Sequence, residues 1–528
     1  MSRPVKNRIG RSRLLVGLLA AVFSVIALVA WAFAAPVGAT PDEDFHLTSI
    51  WCAHGERDGF CEPGDRPGEW WVSHEMLVVQ CFAFKPEESA ACQTGFTVEP
   101  ELVSSGRGNF TGDYPPVFYW VMSWFAGPGV VKSVLLMRIF SALVAVGLVA
   151  AVAMASPPGV RRAVTAAAVL TAVPLGMFVI PSINPSGWAV VGAVTFIPAL
   201  VGYLVTEGRR RWVLGGLAVL SLVIGAGSRG DAGLFAALGA AVAVLVAWRV
   251  GRRQLRDLIL PVVLGVAGLA TFLLVGQSGN AVSEDSLELS AWGLRVLVDI
   301  PSLWTGALGG WGLGWLDTYM PPLVWAASWS VLVGAVFLAI PGRDRRHQLA
   351  LIAVGAAVWL VPGYMQIATG YPVGAWVQPR YILPLIAMLV VLALLRTRGA
   401  VRWNSAQWLL VVVALSVANS VALFWTIRRF VVGSDGVGWD LGRQVEWWWP
   451  GPVGPMVVWM VGSVSFAVAA ALLLDGMRRP PSSSALEEPT PEEPISGEPV
   501  SAEVDGTESV TVPSSDAVAP SSGGVPRD

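Results

Sequence analysis

Residues 14–35 read LLVGLLAAVFSVIALVAWAFAA, and residues 40–46 follow closely with TPDEDFH. The first stretch carries no charge and is long enough to cross a bilayer, because about 20 helical residues span the hydrocarbon core. The second stretch puts three acids and a histidine within a few residues of the lipid surface. Together they predict a membrane helix that delivers a cluster of acids to one face of the membrane.

The rest of the chain has the same apolar character. Of its 528 residues, 54% are hydrophobic and 14% are charged, whereas about a quarter of the residues of a soluble protein are charged. We therefore predict an all-α, polytopic integral membrane protein. Lysine is rare beside arginine, and Ala, Val and Gly are abundant. That composition is typical of a GC-rich bacterial genome, and we expect an actinobacterium.

Twelve apolar segments are expected to cross the membrane, at about 20 residues for each helix. The breaks between them alternate between Arg-rich stretches and stretches with few basic residues. Because basic residues concentrate in cytoplasmic loops, the Arg-rich breaks and both termini are expected inside, in a bacterial plasma membrane. The predicted crossings are 14–35, 132–155, 163–181, 186–206, 212–227, 231–248, 258–276, 321–340, 348–367, 380–395, 405–427 and 452–475.

Three regions follow from this topology. Residues 1–13 form a basic cytoplasmic N-terminus, residues 14–475 the membrane domain, and residues 476–528 an acidic, Pro- and Ser-rich tail expected to be disordered in the cytoplasm. The N-terminus also fits a cleaved signal peptide, with a basic start and an AFA sequence resembling a cleavage site. A retained helix is favoured, because cleavage would release the PDED acids from the membrane.

All four cysteines lie in the large first outer loop, residues 36–131, where an oxidising environment allows disulfides. Of the three possible pairings, we prefer Cys52–Cys61 and Cys81–Cys92, which close short loops. Metal ligation is the competing interpretation, although neither pair has the C-x-x-C spacing that favours it. A loop of this length, pinned by two bridges, indicates a binding or catalytic element.

The TPDEDFH stretch has a structural and a functional interpretation. Thr40 as N-cap, Pro41 at the first helical position and Glu43 three residues after the cap would make a capping box. That interpretation leaves Asp42 and His46 unexplained. The two are four residues apart and share a helical face. A carboxylate beside an imidazole can act as a general base, a metal ligand or a hydrogen-bond anchor.

Further candidates lie in the other outward-facing stretches, mostly near the start of an apolar helix. Each has a structural alternative: acids and prolines begin helices, Trp belongs to the interfacial belt, and arginine can snorkel. The functional alternatives are a second acid, a sugar-stacking surface and a guanidinium for a phosphate. These candidates are Asp113 in GDYPPVFYW, Asn184 in PSINPSG, Arg229 in GSRGD, Trp315 and Asp317 in GWLDTYMPP, and Gln378 and Arg380 in VQPRY.

In this order, PDEDFH, YPPVFYW, SINPSG, GWLDTYMPP and VQPRYILPL resemble a bacterial family of predicted membrane proteins, domain of unknown function 2142, over roughly residues 14–475. That family resembles the GT-C glycosyltransferases, polytopic enzymes that use polyprenyl-phosphate sugars and carry an acidic motif after the first membrane helix. The resemblance implies that Asp42 and Glu43 form the acidic site and that Arg380 contacts the lipid phosphate. Around them we expect His46 and Asp113 as supporting acid or base, Gln378 and Arg229 as phosphate contacts, and Asn184, Trp315 and Asp317 at the substrate surface.

Two functions are open. The first is a glycosyltransferase of cell-envelope assembly, which moves a sugar from a polyprenyl-phosphate donor to a glycan acceptor at the outer face. The metal requirement is undecided, a divalent cation being compatible with the acids, and no nucleic acid partner is expected. The second is a non-catalytic protein that transports or scaffolds a polysaccharide or lipid-linked precursor. A transporter would carry ionisable residues in mid-helix, and Arg138 is the main candidate. Most charges cluster at the outer surface instead, which favours the first function.

Overall fold

The computed structural model describes residues 3–96, 101–248, 254–275, 291–397, 399 and 401–478. These residues fall within one compact unit, Met1–Pro480. The disordered tail predicted over residues 476–528 lies almost entirely outside the described residues. The part of the chain that is described consists mostly of helices, with three short strands in the outer loop.

The helices are α1 (Arg3–Phe33), α2 (Glu43–Trp51), α3 (Pro116–Met122), α4 (Val130–Ala155), α5 (Pro158–Leu170), α6 (Leu175–Val179), α7 (Pro185–Val205), α8 (Gly208–Ala226) and α9 (Gly230–Ala247). They continue with α10 (Gln254–Asp257), α11 (Ile259–Leu274), α12 (Ala291–Asp299), α13 (Pro301–Thr305), α14 (Pro322–Ala339), α15 (Arg345–Thr369), α16 (Pro379–Leu394), α17 (Ser405–Val432) and α18 (Pro455–Arg478). The strands are β1 (Glu62–Pro63), β2 (Trp70–Ser73) and β3 (Leu102–Ser105).

Nine helices within the described residues are long and apolar enough to cross a membrane. The prediction of a polytopic helical membrane protein is therefore confirmed. Three of the twelve predicted crossings do not meet the same criterion. Segment 163–181 is divided between α5 and α6, because Pro174 lacks the N–H group that would continue the helix. Segment 212–227 belongs to α8, which begins with an Arg-rich turn, and segment 380–395 becomes the shorter apolar helix α16.

The outer loop contains β-structure that the all-α prediction missed. Strand β2 pairs antiparallel with β1 and β3, with Trp70 opposite Ser105. Strands of two to four residues are too short to show the alternating pattern by which a strand is recognised. Both predicted disulfides, Cys52–Cys61 and Cys81–Cys92, are present. The first ties the end of α2 to the start of the sheet.

Two helices, α7 and α16, form the centre of the bundle. Nearly every residue of both is buried, and they pack against each other and against α9. Both begin with a proline, whose fixed φ suits the first helical turn. Their N-terminal ends therefore lie at the middle of the bundle, where the loops that precede them are brought together.

A buried arginine closes the end of α1. Arg138 of α4 donates to the carbonyl oxygens of Ala32 (2.9 Å), Ala35 (2.6 Å) and Pro36 (2.7 Å), and it pairs with Glu43 (2.9 Å). The last carbonyls of a helix have no partner within the helix. A cation at this end is also attracted to the negative end of the helix dipole. The contact fixes how the chain leaves α1 and turns into α2.

A second buried arginine has the same kind of partners further along the chain. Arg429 of α17 donates to the carbonyl oxygens of Phe82 (2.8 Å), Lys85 (2.8 Å) and Glu88, and it pairs with Asp317 (3.1 Å). The carbonyls belong to the segment closed by the second disulfide. The outer loop is thereby held on the bundle.

We expect the loss of either partner of the Arg138–Glu43 pair to destabilise the protein strongly. Glu43→Gln and Arg138→Met should each lower the free energy of unfolding by about 3–5 kcal/mol, because one buried group is left uncompensated. Thermal denaturation of the purified protein in detergent measures the loss. Arg295→Met is the matched control, since its ion pair with Asp299 joins side chains that are 83% and 51% exposed. Similar losses in all three variants would contradict the assignment.

Candidate functional site

Three central helices begin at one place. Helix α7 begins after Asn184, α9 after Arg229 and α16 after Gln378. Arg229 Nη1 donates to Ser186 Oγ (3.2 Å), and its guanidinium lies 4.3 Å from the centre of the Tyr381 ring. A helix N-terminus presents unpaired N–H groups and partial positive charge. The meeting of three such ends favours an anion at this point.

Asn184 ties this point to the turn that follows α1. Its side-chain oxygen accepts a hydrogen bond from the N–H of Ser186 (2.9 Å) and so caps α7. Its Nδ2 donates to the carbonyl oxygen of Pro41 (3.0 Å). Asn184 was predicted at the substrate surface. It is buried, and in the structure it holds the acidic turn against the central helices.

Asp42 lies in that turn and faces the start of α16. Its Oδ2 accepts from Arg380 Nη2 (2.6 Å), and its Oδ1 accepts from Arg107 Nη2 (3.2 Å). The backbone φ of Asp42 is 62°, in the left-handed region that Asp and Asn tolerate better than most residues. Strained backbone of this kind clusters at functional sites.

The surroundings of Asp42 keep its carboxylate ionised. Burial alone would raise its pKa, but the positive charges of Arg380 and Arg107 outweigh burial, and the pKa lies below its usual value. The side chain is still 35% exposed. Asp42 is therefore an ionised carboxylate that a molecule can reach from solvent.

Glu43 faces the opposite way. Its Oε1 accepts from Arg138, and its Oε2 accepts from the N–H (3.0 Å) and hydroxyl (2.8 Å) of Thr40. The predicted capping box is thus only half formed, because the Thr40 hydroxyl donates to Glu43 and does not accept from its N–H. Helix α2 begins at Glu43, so Pro41 is not its first residue. These contacts favour a structural role for Glu43 over the predicted catalytic one.

His46 lies behind Asp42 in an aromatic pocket. Its Nδ1 is 2.9 Å from Tyr119 Oη, and its ring packs edge-on against Phe45 and Tyr114. Burial lowers the pKa of His46 to about 3, so the imidazole is neutral at pH 7. Of the three roles open from the sequence, the geometry favours the hydrogen-bond anchor.

Arg229 is paired. Its Nε and Nη2 donate to the two oxygens of Asp231 at 2.9 and 2.7 Å. Asp231 lies only two residues away in the sequence, and this local ion pair gives Arg229 a structural role. Because Asp231 occupies one edge of its guanidinium, Arg229 contacts the site mainly by stacking on the Tyr381 ring.

Asp317, Trp315 and Asp113, which are also predicted from the sequence, lie further from the contact between Asp42 and Arg380. Asp317 pairs with Arg429 and accepts from the N–H of Phe84 (3.1 Å), and Trp315 Nε1 donates to the carbonyl oxygen of Gly38 (2.9 Å). Both attach the outer loop to the bundle. Asp113 accepts from the Thr111 hydroxyl (2.7 Å). Its negative charge also acts on Tyr119.

A small cleft opens beside Arg380. Apolar side chains from α6 and the strained Leu316 (φ 63°) form part of its wall. Arg380 is 4% exposed, and its Nε has no hydrogen-bond partner among the described residues. A buried guanidinium beside apolar walls suits an anion that carries an apolar chain. The pocket is lined by Pro41, Leu175, Phe178, Val179, Gly306, Gly312, Gly314, Leu316, Gln378, Pro379 and Arg380.

No group of three or more His, Cys, Asp or Glu side chains in the described part of the chain is arranged to hold a metal ion. Asp42 and Asp44 both face arginine side chains. A divalent cation at this place would have to displace Arg107 from both carboxylates.

Comparison with known protein families matches residues 25–390 to predicted membrane proteins of domain of unknown function 2142. The chain belongs to this family. The matched region includes both Asp42 and Arg380, so the two sides of the site lie within the family's shared region. No curated protein and no solved structure matches the chain.

Three residues of the site, Arg107, Tyr381 and Asp44, are not among those predicted from the sequence. Arg107 binds Asp44 and Asp42, and Tyr381 accepts from Arg380 Nη2 (3.0 Å) while it stacks under Arg229. One signal was present for Arg107, which is a basic residue in an outward-facing loop, against the usual bias. Nothing in the local pattern distinguished Asp44 from the acids of a helical first turn.

We expect His46 to make stability depend on pH. The unfolded chain protonates this histidine near pH 6.5, whereas the folded protein keeps it neutral down to about pH 3. Unfolding takes up a proton between these values, so stability should fall as the pH decreases from 6.5, by about 1.4 kcal/mol for each pH unit. Thermal denaturation between pH 6.5 and 4.5 should show a shallower slope for His46→Gln than for the wild type.

His74→Gln is the control, because the His74 side chain is exposed. It should keep the wild-type slope. If His46→Gln also kept that slope, His46 would not be held neutral by burial.

Proposed function

We propose that this site transfers a sugar from a polyprenyl-phosphate donor to an acceptor glycan at the outer face of a bacterial plasma membrane, with a GT-C-like architecture. One observation carries the proposal. Asp42, which follows the first membrane helix, contacts Arg380 at the start of α16, although 338 residues separate them in sequence. A base and a guanidinium thus meet at one outward end of the bundle.

Asp42 would act as the general base. In the proposed step, an acceptor hydroxyl oxygen attacks the anomeric carbon of the donor sugar while the bond from that carbon to the phosphate oxygen breaks. Asp42 takes the hydroxyl proton, and the lipid phosphate leaves with the electron pair of the broken bond. An ionised and partly exposed carboxylate can accept this proton.

Arg380 and Gln378 would receive the leaving phosphate. The unpartnered Nε of Arg380 supplies a donor within the described structure, and the N-termini of α7, α9 and α16 add positive potential at the same place. The apolar side of the pocket, formed by Leu175, Phe178 and Val179, would contact the first units of the lipid chain.

We also infer that the twelve expected crossings are retained. The nine long helices would be joined by α8, by α16 and by the α5–α6 pair, which together cover the three shorter segments. Both termini would then lie in the cytoplasm, and the turn that carries Asp42 would lie outside.

The contacts of Arg138 weaken the transporter alternative, for which this residue is the main candidate. A transport pathway needs an ionisable side chain that a solute can reach. Arg138 is 2% exposed and is held by three carbonyl oxygens and Glu43. Its contacts favour the role of a helix clamp.

We expect Asp42→Asn to abolish sugar transfer without loss of fold, because Asn also tolerates the left-handed backbone. The rate should fall by about 100- to 10,000-fold. Arg380→Lys should also be damaging, because lysine cannot reproduce the contacts of the guanidinium edge. The assay measures transfer from polyprenyl-phosphate sugars, or rescue of an envelope-glycan phenotype, by variants that express and insert normally.

Asp65→Asn serves as the control for charge, since Asp65 is an exposed acid of the same outer loop. It should retain full activity. If Asp42→Asn and Arg380→Lys were as active as Asp65→Asn, the glycosyltransferase hypothesis would be wrong and the scaffold hypothesis would replace it.

A further inference from the structure

The outer loop reaches into the site through Arg107. This residue follows strand β3, so the small sheet sets its position. Its side chain is 42% exposed and lies on the face where basic residues are generally few. It contacts two carboxylates of the acidic turn.

Asp44 holds the guanidinium of Arg107. Arg107 Nε donates to Asp44 Oδ2, and Nη2 donates to Asp44 Oδ1 at 2.9 Å. The Asp44 side chain is only 9% exposed, so the carboxylate side of this two-point contact is shielded from water. The same Nη2 also donates to Asp42 Oδ1 at 3.2 Å. The geometry with Asp44 therefore decides where the guanidinium stands relative to Asp42.

The backbone around Arg107 is fixed to the same face of α2. The Thr48 hydroxyl donates to the carbonyl oxygen of Arg107, and Ser49 Oγ accepts from the N–H of Asn109 at 2.7 Å. Asp44 and Thr48 are four residues apart and so share a helical face. Three polar side chains of α2 thus hold this short segment of the outer loop.

The segment continues to the aromatic pocket. Asn109 Oδ1 accepts from the N–H of Tyr114 at 2.9 Å, and Nδ2 donates to the Tyr114 carbonyl at 3.2 Å. The Tyr114 ring packs against His46. Both ends of residues 107–114 are therefore anchored beside Asp42.

We propose that Arg107 is a positioning residue. It holds Oδ1 of Asp42 in place and maintains the negative charge of the carboxylate, while Arg380 holds Oδ2. This inference rests on the proposed function, in which Asp42 is the general base. The disulfide-pinned outer loop is then part of the site, because it supplies one of the two cations that flank the base.

Few charges surround Asp42, so each should have a measurable effect. His46 is neutral at pH 7, since its pKa is about 3, and burial raises the pKa of the neighbouring tyrosines. The two arginines remain as the opposing charges, and the removal of one should raise the pKa of the carboxyl group. The groups that face Asp42 are Arg380 from α16, Arg107 from the outer loop, His46 from α2, Tyr114 before α3 and Tyr119 within it.

The test is chemical labelling of Asp42 in the purified full-length protein. A carbodiimide with glycinamide modifies protonated carboxyl groups, and peptide mass spectrometry quantifies the modified Asp42 between pH 3 and 7. Arg107→Gln should shift the labelling midpoint upward by about 1 pH unit. Arg107→Lys, which keeps the charge without the two-point contact, should give a smaller upward shift. Arg66→Gln removes an exposed arginine of the same loop and should give none.

Intact disulfides, verified by mass before reduction, show that the loop of each variant is folded. A midpoint for Arg107→Gln that coincides with the wild type would overturn the proposal, and so would an equal shift in Arg66→Gln. Labelling needs no sugar donor, so it separates the two hypotheses. If the protein transfers no sugar but Arg107→Gln shifts the midpoint, the proposed function is wrong and the role of Arg107 stands. If the protein transfers sugar but the midpoint is unchanged, only the role of Arg107 is refuted.

Discussion

The contact between Arg138 and the end of α1 decides where the acidic turn lies. Unpaired carbonyl oxygens are costly near the hydrocarbon region, where no water can satisfy them. Arg138 donates to three of them through Nη1 and Nη2, and Nη2 also pairs with Glu43. With Glu43 held inward, the preceding residue, Asp42, has its side chain on the other side of the turn, facing Arg380. The catalytic geometry that we propose is thus a consequence of how the carbonyl oxygens at the end of α1 are hydrogen-bonded.

Arg429 makes the same kind of contact with carbonyl oxygens of the outer loop. It binds three carbonyl oxygens and pairs with Asp317, so the loop segment closed by Cys81–Cys92 is fixed to α17. In both arrangements an arginine and an acid neutralise each other, while Nη1 and Nη2 of the arginine also donate to backbone oxygens; Nε of each arginine has no partner among the described residues. Such hydrogen bonds offset part of the cost of burying an ion pair. Asp42 differs, because it keeps a third of its side-chain surface exposed.

The sequence predicted a polytopic helical membrane protein, both disulfides and a site that includes Asp42 and Arg380. The first two predictions are confirmed, and the structure places Asp42 in contact with Arg380. Those features follow from hydropathy, from short cysteine spacing and from the resemblance to a family. Glu43 and Asp317 were assigned to chemistry and are held by Arg138 and Arg429, because the pattern of acids in a loop does not reveal which arginine of a distant helix will face them. Arg107 was missed for the same reason. The sheet and the division of 163–181 depend on tertiary contacts of short segments, which no local periodicity records.

The most direct test of the central claim asks whether the turn after α1 meets the start of α16 outside the membrane. Asp42→Cys and Arg380→Cys are introduced together, with the native cysteines kept in their disulfides, and intact cells are treated with a short, membrane-impermeant, bifunctional thiol reagent. The account predicts a cross-link between the two positions. The matched pair of Asp42→Cys with Arg402→Cys, on the face expected inside, should give none. Single labelling at position 42 without a cross-link to 380, or a cross-link to 402, would contradict the site.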